Sequence, residues 1–256
     1  KRFISRNRFL QDANTNFTGK YFENAKAFYD KAIELDDSDV SALLMAGNAL
    51  SSLERNEEAI QYYDKILKIE PNNVRALNNK GVSLGKLNRH PEAISCYKKA
   101  IKIKPDYIDA INNLGVEMRD AKKYTDAINY YKKALELNPK DIGILSNLAE
   151  AYNLAKQYSD AIETADKIIK ESTELEKSSN EFVRGLVQKG ISYFEEGKEV
   201  EALPFFNKAL KINSANSIAL LNKGNCLLKL GQLEDALECI NEYLTTNLDS
   251  AIAYSN

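Results

Sequence analysis

Between residues 105 and 139 the apolar and small side chains fall at helical rather than strand spacing. Ala127, Tyr131, Ala134 and Leu135 stand at i, i+4, i+7 and i+8, one face of a helix. The pattern predicts two helices, about 108–121 and 124–137, joined at Ala121-Lys122-Lys123 and stopped before Pro139. Proline ends the second helix because it has no N–H to donate and disfavours helix at the preceding residue. The same arrangement returns every 34 residues. Gly47, Gly81 and Gly115 mark the first helix, and Pro71, Pro105 and Pro139 close the unit. Ala59, Ala93, Ala127 and Ala161, with Tyr63, Tyr97 and Tyr131, mark the second helix. A fixed period with small residues at the same offsets signals helix pairs stacked in a row, each burying its apolar face on its neighbours.

Counted by these marks, residues 1–256 form a single array of repeats. Residues 1–39 are a degenerate first copy: Ala25, Tyr29 and Ala32 keep the second-helix pattern, and Asp37 replaces the closing proline. Its turn, Gly19-Lys20-Tyr21, reads as one residue out of register. Copies two to five span 40–73, 74–107, 108–141 and 142–175. From Ala149 to Gly190 the step is 41 residues rather than 34, and the extra residues are placed at 176–182. That excess is close to two helical turns, so a flanking helix can lengthen without rotating its buried face away. Copies six and seven span 183–216 and 217–250, and 251–256 read as the start of a truncated eighth. Gly115 and Ala127 are expected to face each other where the paired helices come closest.

The pattern G-x2-aliphatic, then A-x3-Y-x2-A, then Pro resembles the tetratricopeptide repeat (TPR) family, and the resemblance covers nearly the whole chain. It implies an all-α fold: a right-handed superhelical α-solenoid of antiparallel helix pairs, first helices on the concave face and second helices outside. It also implies a non-catalytic protein–protein interaction scaffold that holds an extended peptide or a disordered partner segment in the concave groove. The alternative is a substrate-recruiting arm of a larger enzyme, such as a glycosyltransferase.

Composition narrows the partners. Thirty-five basic residues against 37 acidic give a net charge of −2, so nothing draws the chain to a phosphate backbone and nucleic acid is not expected. No apolar run reaches ~18 residues, so membrane insertion is not expected. Cys96, Cys226 and Cys239 are an odd, dispersed set, which suits reduced thiols and a cytoplasmic location. The chain opens at Lys1 and stops within a repeat pattern, so a fragment of a longer protein is expected, and self-association through the open end or the convex face is a third reading beside the two above.

Candidate chemistry is sparse. The single histidine, His90, shares its offset with Tyr124 and Tyr158 and reads as a packing residue at a helix start. Gly81-Val82-Ser83-Leu84-Gly85 matches G-x-S-x-G, but that motif works only as a strained strand-to-helix elbow, and here it falls inside a helix. One histidine and scattered cysteines supply no zinc set, so no metal, cofactor or catalytic residue is expected.

Two residues before the Gly/Ala mark, copies two to seven carry Met45, Asn79, Asn113, Asn147, Gln188 and Asn222. Carboxamides gain little from helix propensity, so a run at one offset needs another reason. Each offers a donor and an acceptor to the backbone of an extended peptide. The run resembles the asparagine ladder in the TPR superhelix of O-GlcNAc transferases, which implies these positions as peptide-binding. Asn48, Asn78, Asn112, Arg75, Arg119, Glu150 and Asn225 are further groove candidates, with Val82, Val116 and Arg184 beside them. The carboxylate clamp of chaperone-binding TPR domains is not reproduced: Leu44, Asp109 and Asn113 stand where basic residues belong.

Overall fold

The computed structural model describes residues 2–175 and 180–255, which form fourteen helices joined by short turns, with no strand among the described residues. The chain divides into two compact units, residues 1–117 and 118–256. The first holds α1 (Arg2–Thr18), α2 (Phe22–Leu35), α3 (Val40–Ser52), α4 (Asn56–Ile69), α5 (Val74–Lys86), α6 (His90–Ile103) and most of α7 (Ile108–Asp120). The second holds the end of α7, then α8 (Tyr124–Leu137), α9 (Ile142–Leu154), α10 (Tyr158–Leu175) and α11 (Asn180–Glu195). It finishes with α12 (Glu199–Ile212), α13 (Ser217–Lys229) and α14 (Leu233–Ser255).

In the first unit α1 to α6 each pack on the next, and in the second α8 to α14 do the same. Odd-numbered helices also meet across repeats: α3 touches α5 in the first unit, and α11 touches α9 and α13 in the second. Among the described residues even-numbered helices approach one another less closely, although the Tyr62 hydroxyl on α4 donates to Asp30 Oδ1 on α2 at 2.7 Å, so each stack bends toward its odd-numbered side. The fold is an all-α solenoid of helix pairs.

Local sequence explains the ends of these helices. Asp39, Asn73, Asp141 and Asn216 precede α3, α5, α9 and α13, and each side chain accepts from the backbone N–H three residues on, at 2.9 to 3.0 Å. This satisfies one of the donors that a helix start leaves unpaired. Each turn from an odd to an even helix holds one residue at positive φ: Lys20, Glu54, Asn88, Lys122, Lys156, Gly197 and Gly231. The spacing is 34 residues, with one step of 41. Lys20 is therefore in register with the later turns, contrary to the sequence reading, because the left-handed residue rather than the preceding glycine defines the turn.

Within three pairs the close approach is to an aromatic ring. A Cβ on Gly47 would stand 2.6 Å from the Tyr63 ring, on Gly81 2.6 Å from Tyr97, and on Gly190 2.7 Å from Phe206. The space each of these glycines vacates is filled by that ring. Tyr29, Tyr63, Tyr131 and Phe206 are accordingly among the largest fully buried side chains.

The longer step is absorbed by two helices. α10 has 18 residues against 14 in α8 and α12, and α11 has 16 against 13 in α9 and α13. The inserted residues 180–182 belong to α11, whereas 176–179 lie outside the described residues. Gly185 lets α11 close on α10, since a Cβ there would stand 2.9 Å from Ile168 Cγ2. α14 runs unbroken to Ser255, so 251–255 continue that helix instead of opening an eighth repeat. No Gly or Pro interrupts 233–255, and Leu248 stands at the offset where proline closes earlier copies. The three cysteines are free and buried.

Two outcomes follow. Gly81→Leu should lower unfolding free energy by about 1–3 kcal/mol in urea denaturation, because overpacking against Tyr97 outweighs the gain in helix propensity. Burial raises the phenol of Tyr29 to about 12 and pushes up those of Tyr63, Tyr97 and Tyr131 as well. The folded state thus holds neutral phenols that the unfolded chain ionises near pH 10. Stability should be intact below about pH 10 and fall as pH rises toward the folded values, with the last rise in tyrosinate absorbance, that of the buried phenols, accompanying unfolding.

Candidate functional site

In the first unit four carboxamides on three odd-numbered helices form one hydrogen-bonded chain. Asn113 Nδ2 on α7 donates to Asn78 Oδ1 on α5 at 3.0 Å, and Asn78 Nδ2 donates to Asn79 Oδ1 at 3.2 Å. Asn79 Nδ2 then donates to Asn48 Oδ1 on α3 at 2.8 Å, and the Tyr63 hydroxyl donates to the same oxygen at 3.0 Å. Asn78 is buried, whereas Asn48, Asn79, Asn112 and Asn113 are half-buried. A carboxamide has two N–H groups and two lone pairs. With one of each engaged, Asn79 keeps one donor and one acceptor in an orientation set by its neighbours. Arg75, in the first turn of α5, is exposed and takes no part in this chain.

Sequence reasoning missed the link between these amides and the buried tyrosines. Tyr29 donates to Asn14 Oδ1 at 2.6 Å, as Tyr63 does to Asn48, each pair 15 residues apart. An Asn 15 residues before a periodic Tyr was the available signal. Val82 and Val116 hold that offset before Tyr97 and Tyr131. The Tyr131 hydroxyl is buried with no hydrogen-bond partner among the described residues.

The second unit presents a different surface. Glu150 on α9 accepts from Arg119 Nη1 at 3.1 Å, and Arg119 Nε donates to Asp120 at 3.0 Å. Gln188 Oε1 on α11 accepts from Asn153 Nδ2 at 3.0 Å, and Ser192 Oγ donates to Asn153 Oδ1 at 2.8 Å. Asn153 and Ser192 were not singled out in the sequence, since neither carries the repeat mark. Asn222 turns back on its own helix and donates to the Ile218 carbonyl at 2.8 Å. Asn147 and Asn225 are half-buried. A cleft of about 500 Å³ opens along α9, α11 and the start of α13. Of the residues expected in a groove, Glu150, Gln188 and Arg184 line it, while Asn147, Asn222, Asn225 and Arg119 lie outside its lining.

The remaining candidates for chemistry are structural. His90 is exposed instead of packed, and its Nδ1 lies 2.8 Å from Oε2 of the buried Glu117. A buried carboxylate needs a polar partner, which the tyrosines at that offset in later copies are not asked to supply. Ser83 lies within α5, fully buried, its Oγ 3.5 Å from Ser51 Oγ. Among the described residues no group of three or more His, Cys, Asp or Glu is placed to hold a metal, and no helix is long and apolar enough to cross a membrane.

Comparison with known proteins places this geometry. Models described as tetratricopeptide repeat match residues 13–39, 40–73, 74–107, 118–174 and 193–255. A comparison with curated proteins finds no match. A tetratricopeptide repeat protein from Parabacteroides merdae is similar in structure, with a TM-score of 0.75 at 16% identity, over 95% of this chain and 93% of its own. PilF of Pseudomonas aeruginosa is similar with a TM-score of 0.70 at 21% identity, over 85% and 96%. YrrB, described as a TPR protein with an unusual peptide-binding site, gives 0.59 at 22% identity, over 76% and 97%. At these identities the likeness speaks for the fold. With repeat models matching most of its length and helix pairs returning every 34 residues, the chain belongs to the tetratricopeptide repeat family.

Proposed function

We propose that the chain is a non-catalytic protein–protein interaction scaffold that holds an extended peptide, or a disordered partner segment, against its odd-numbered helices. The observation that carries this reading is the linked series Asn48, Asn79, Asn78 and Asn113. Amides that hold one another leave their remaining N–H and lone-pair sites fixed in direction, and fixed sites bind a partner with less ordering cost. An extended main chain alternates donors and acceptors, which is the pattern such amides can match. In this reading Asn112 and Arg75 flank the series in the first unit, and in the second unit, taken by itself, Asn147, Gln188, Asn222, Asn225, Glu150 and Arg119 are its peptide-binding candidates. The near balance of 35 basic and 37 acidic residues favours a peptide over a polyanion. The peptide-binding description of YrrB, a protein of similar fold, also supports it.

The test is a double substitution, Asn79→Ala with Asn113→Ala. Peptides selected from a displayed random library on the unaltered chain should bind the variant about tenfold more weakly or worse in fluorescence anisotropy, the equivalent of about 1.4 kcal/mol. Both amides also bond their neighbours, so the variant should lose about 1–3 kcal/mol of stability, and binding is read where melting curves show it folded. Unaltered affinity in the folded variant would remove the amide reading.

A further inference from the structure

The odd-numbered helices change chemistry in the second unit. Val187 and Leu221 occupy the offset held by Asn78 and Asn112, and Ile191 the offset held by Asn48. Val187 is 4% exposed and forms the floor of the cleft of about 500 Å³, with the half-buried Ile191 beside it. Leu154 at the end of α9 and Ile218 at the start of α13 form its rims, 44% and 56% exposed. Four aliphatic side chains from three helices thus converge on a space that suits one aliphatic side chain and the backbone on either side of it.

Polar groups at this cleft set an orientation. Gln188 Oε1 is taken by Asn153, which leaves the Nε2 hydrogens to meet a peptide carbonyl. Glu150 and Asp120 share one guanidinium, that of Arg119, at 3.1 and 3.0 Å. Arg184 is exposed and makes no ion pair among the described residues. Lys156 is a second cation of the lining, and Glu195 its second acid. Arg184 stands exposed beside the apolar floor with no ion-pair partner among the described residues, so its complement is an acidic group next to the apolar anchor.

We infer that this cleft seats one aliphatic side chain of an extended peptide and that Arg184 selects an acidic residue adjacent to that anchor. The inference deepens the scaffold reading and rests on it. Burying one Leu-sized side chain is worth about 1.5–3 kcal/mol, or about tenfold to a hundredfold in affinity.

The experiment is selection of short random peptides by the whole chain, by Arg184→Glu, and by Leu154→Ser with Ile218→Ser. All three substituted positions are at the surface, and melting curves confirm folding of each variant. The unaltered chain should enrich peptides with Leu, Ile or Met next to Asp or Glu. Arg184→Glu should replace the acidic preference with Lys or Arg, and the double variant should lose the aliphatic preference and bind the best peptide at least about tenfold more weakly. Peptides captured without the aliphatic–acidic pair, or a preference unmoved by the substitutions, would overturn the anchor while the scaffold reading stands. Capture of no peptide would remove both. Self-association of the unaltered chain that Leu154→Ser with Ile218→Ser abolishes, without peptide preference, would assign the cleft to a second copy and overturn the inference.

Discussion

The contact that governs three of the repeats is a backbone pressed against an aromatic face. Gly47, Gly81 and Gly190 lie where even a single methyl group would collide with Tyr63, Tyr97 and Phe206. That approach sets how closely the two helices of a pair can pack, and close packing of interiors leaves little slack to absorb a change. Once the pair is fixed, the next odd-numbered helix has one way to seat on it. The bend of each stack and the residues it leaves accessible follow.

Aromatic rings in such contacts carry a cost when they end in a hydroxyl. A buried phenol needs an acceptor, and Asn14 and Asn48 supply it for Tyr29 and Tyr63. Asn48 then accepts a second bond from Asn79, which draws Asn78 and Asn113 into the same series. The amides of the first unit therefore have two roles at once. They satisfy buried polar groups between layers, and they fix the direction of the donors and acceptors that remain. A network of this kind is worth more when complete than its separate bonds suggest.

The second unit solves the same stacking problem with fewer polar links along the odd-numbered helices. Phe206 replaces the tyrosine in the pair of α11 and α12, so no phenol has to be satisfied there, whereas the Tyr131 hydroxyl on α8 is buried without a partner among the described residues. Val187 stands at the offset of Asn78 and Asn112, and Ile191 at the offset of Asn48, Val82 and Val116, so the surface at α11 is an apolar cleft with charge at its edge. The two units thus carry different surface chemistry on one repeated plan: linked amides in the first, an aliphatic cleft beside Arg184 in the second.

The period of 34 residues, the small and aromatic marks and the closing prolines were enough to give helix pairs, their order and the family, because helical spacing and proline chemistry act within a few residues of chain. The place of Ser83 inside a helix was legible for the same reason. Other features depended on what meets across space. The turns are set by left-handed residues that include Lys20, Glu54 and Lys122, side chains that do not advertise that conformation. Sequence marked Asn79 and Asn113 as alike, yet only packing decided that Asn79 bonds Asn48 while Asn113 bonds Asn78, and that Asn222 folds back on its own helix. Repeat spacing assigns a residue to a face of one helix. Which neighbour it finds there is decided by the distance and stagger between helices, which the rings against Gly47, Gly81 and Gly190 help to set.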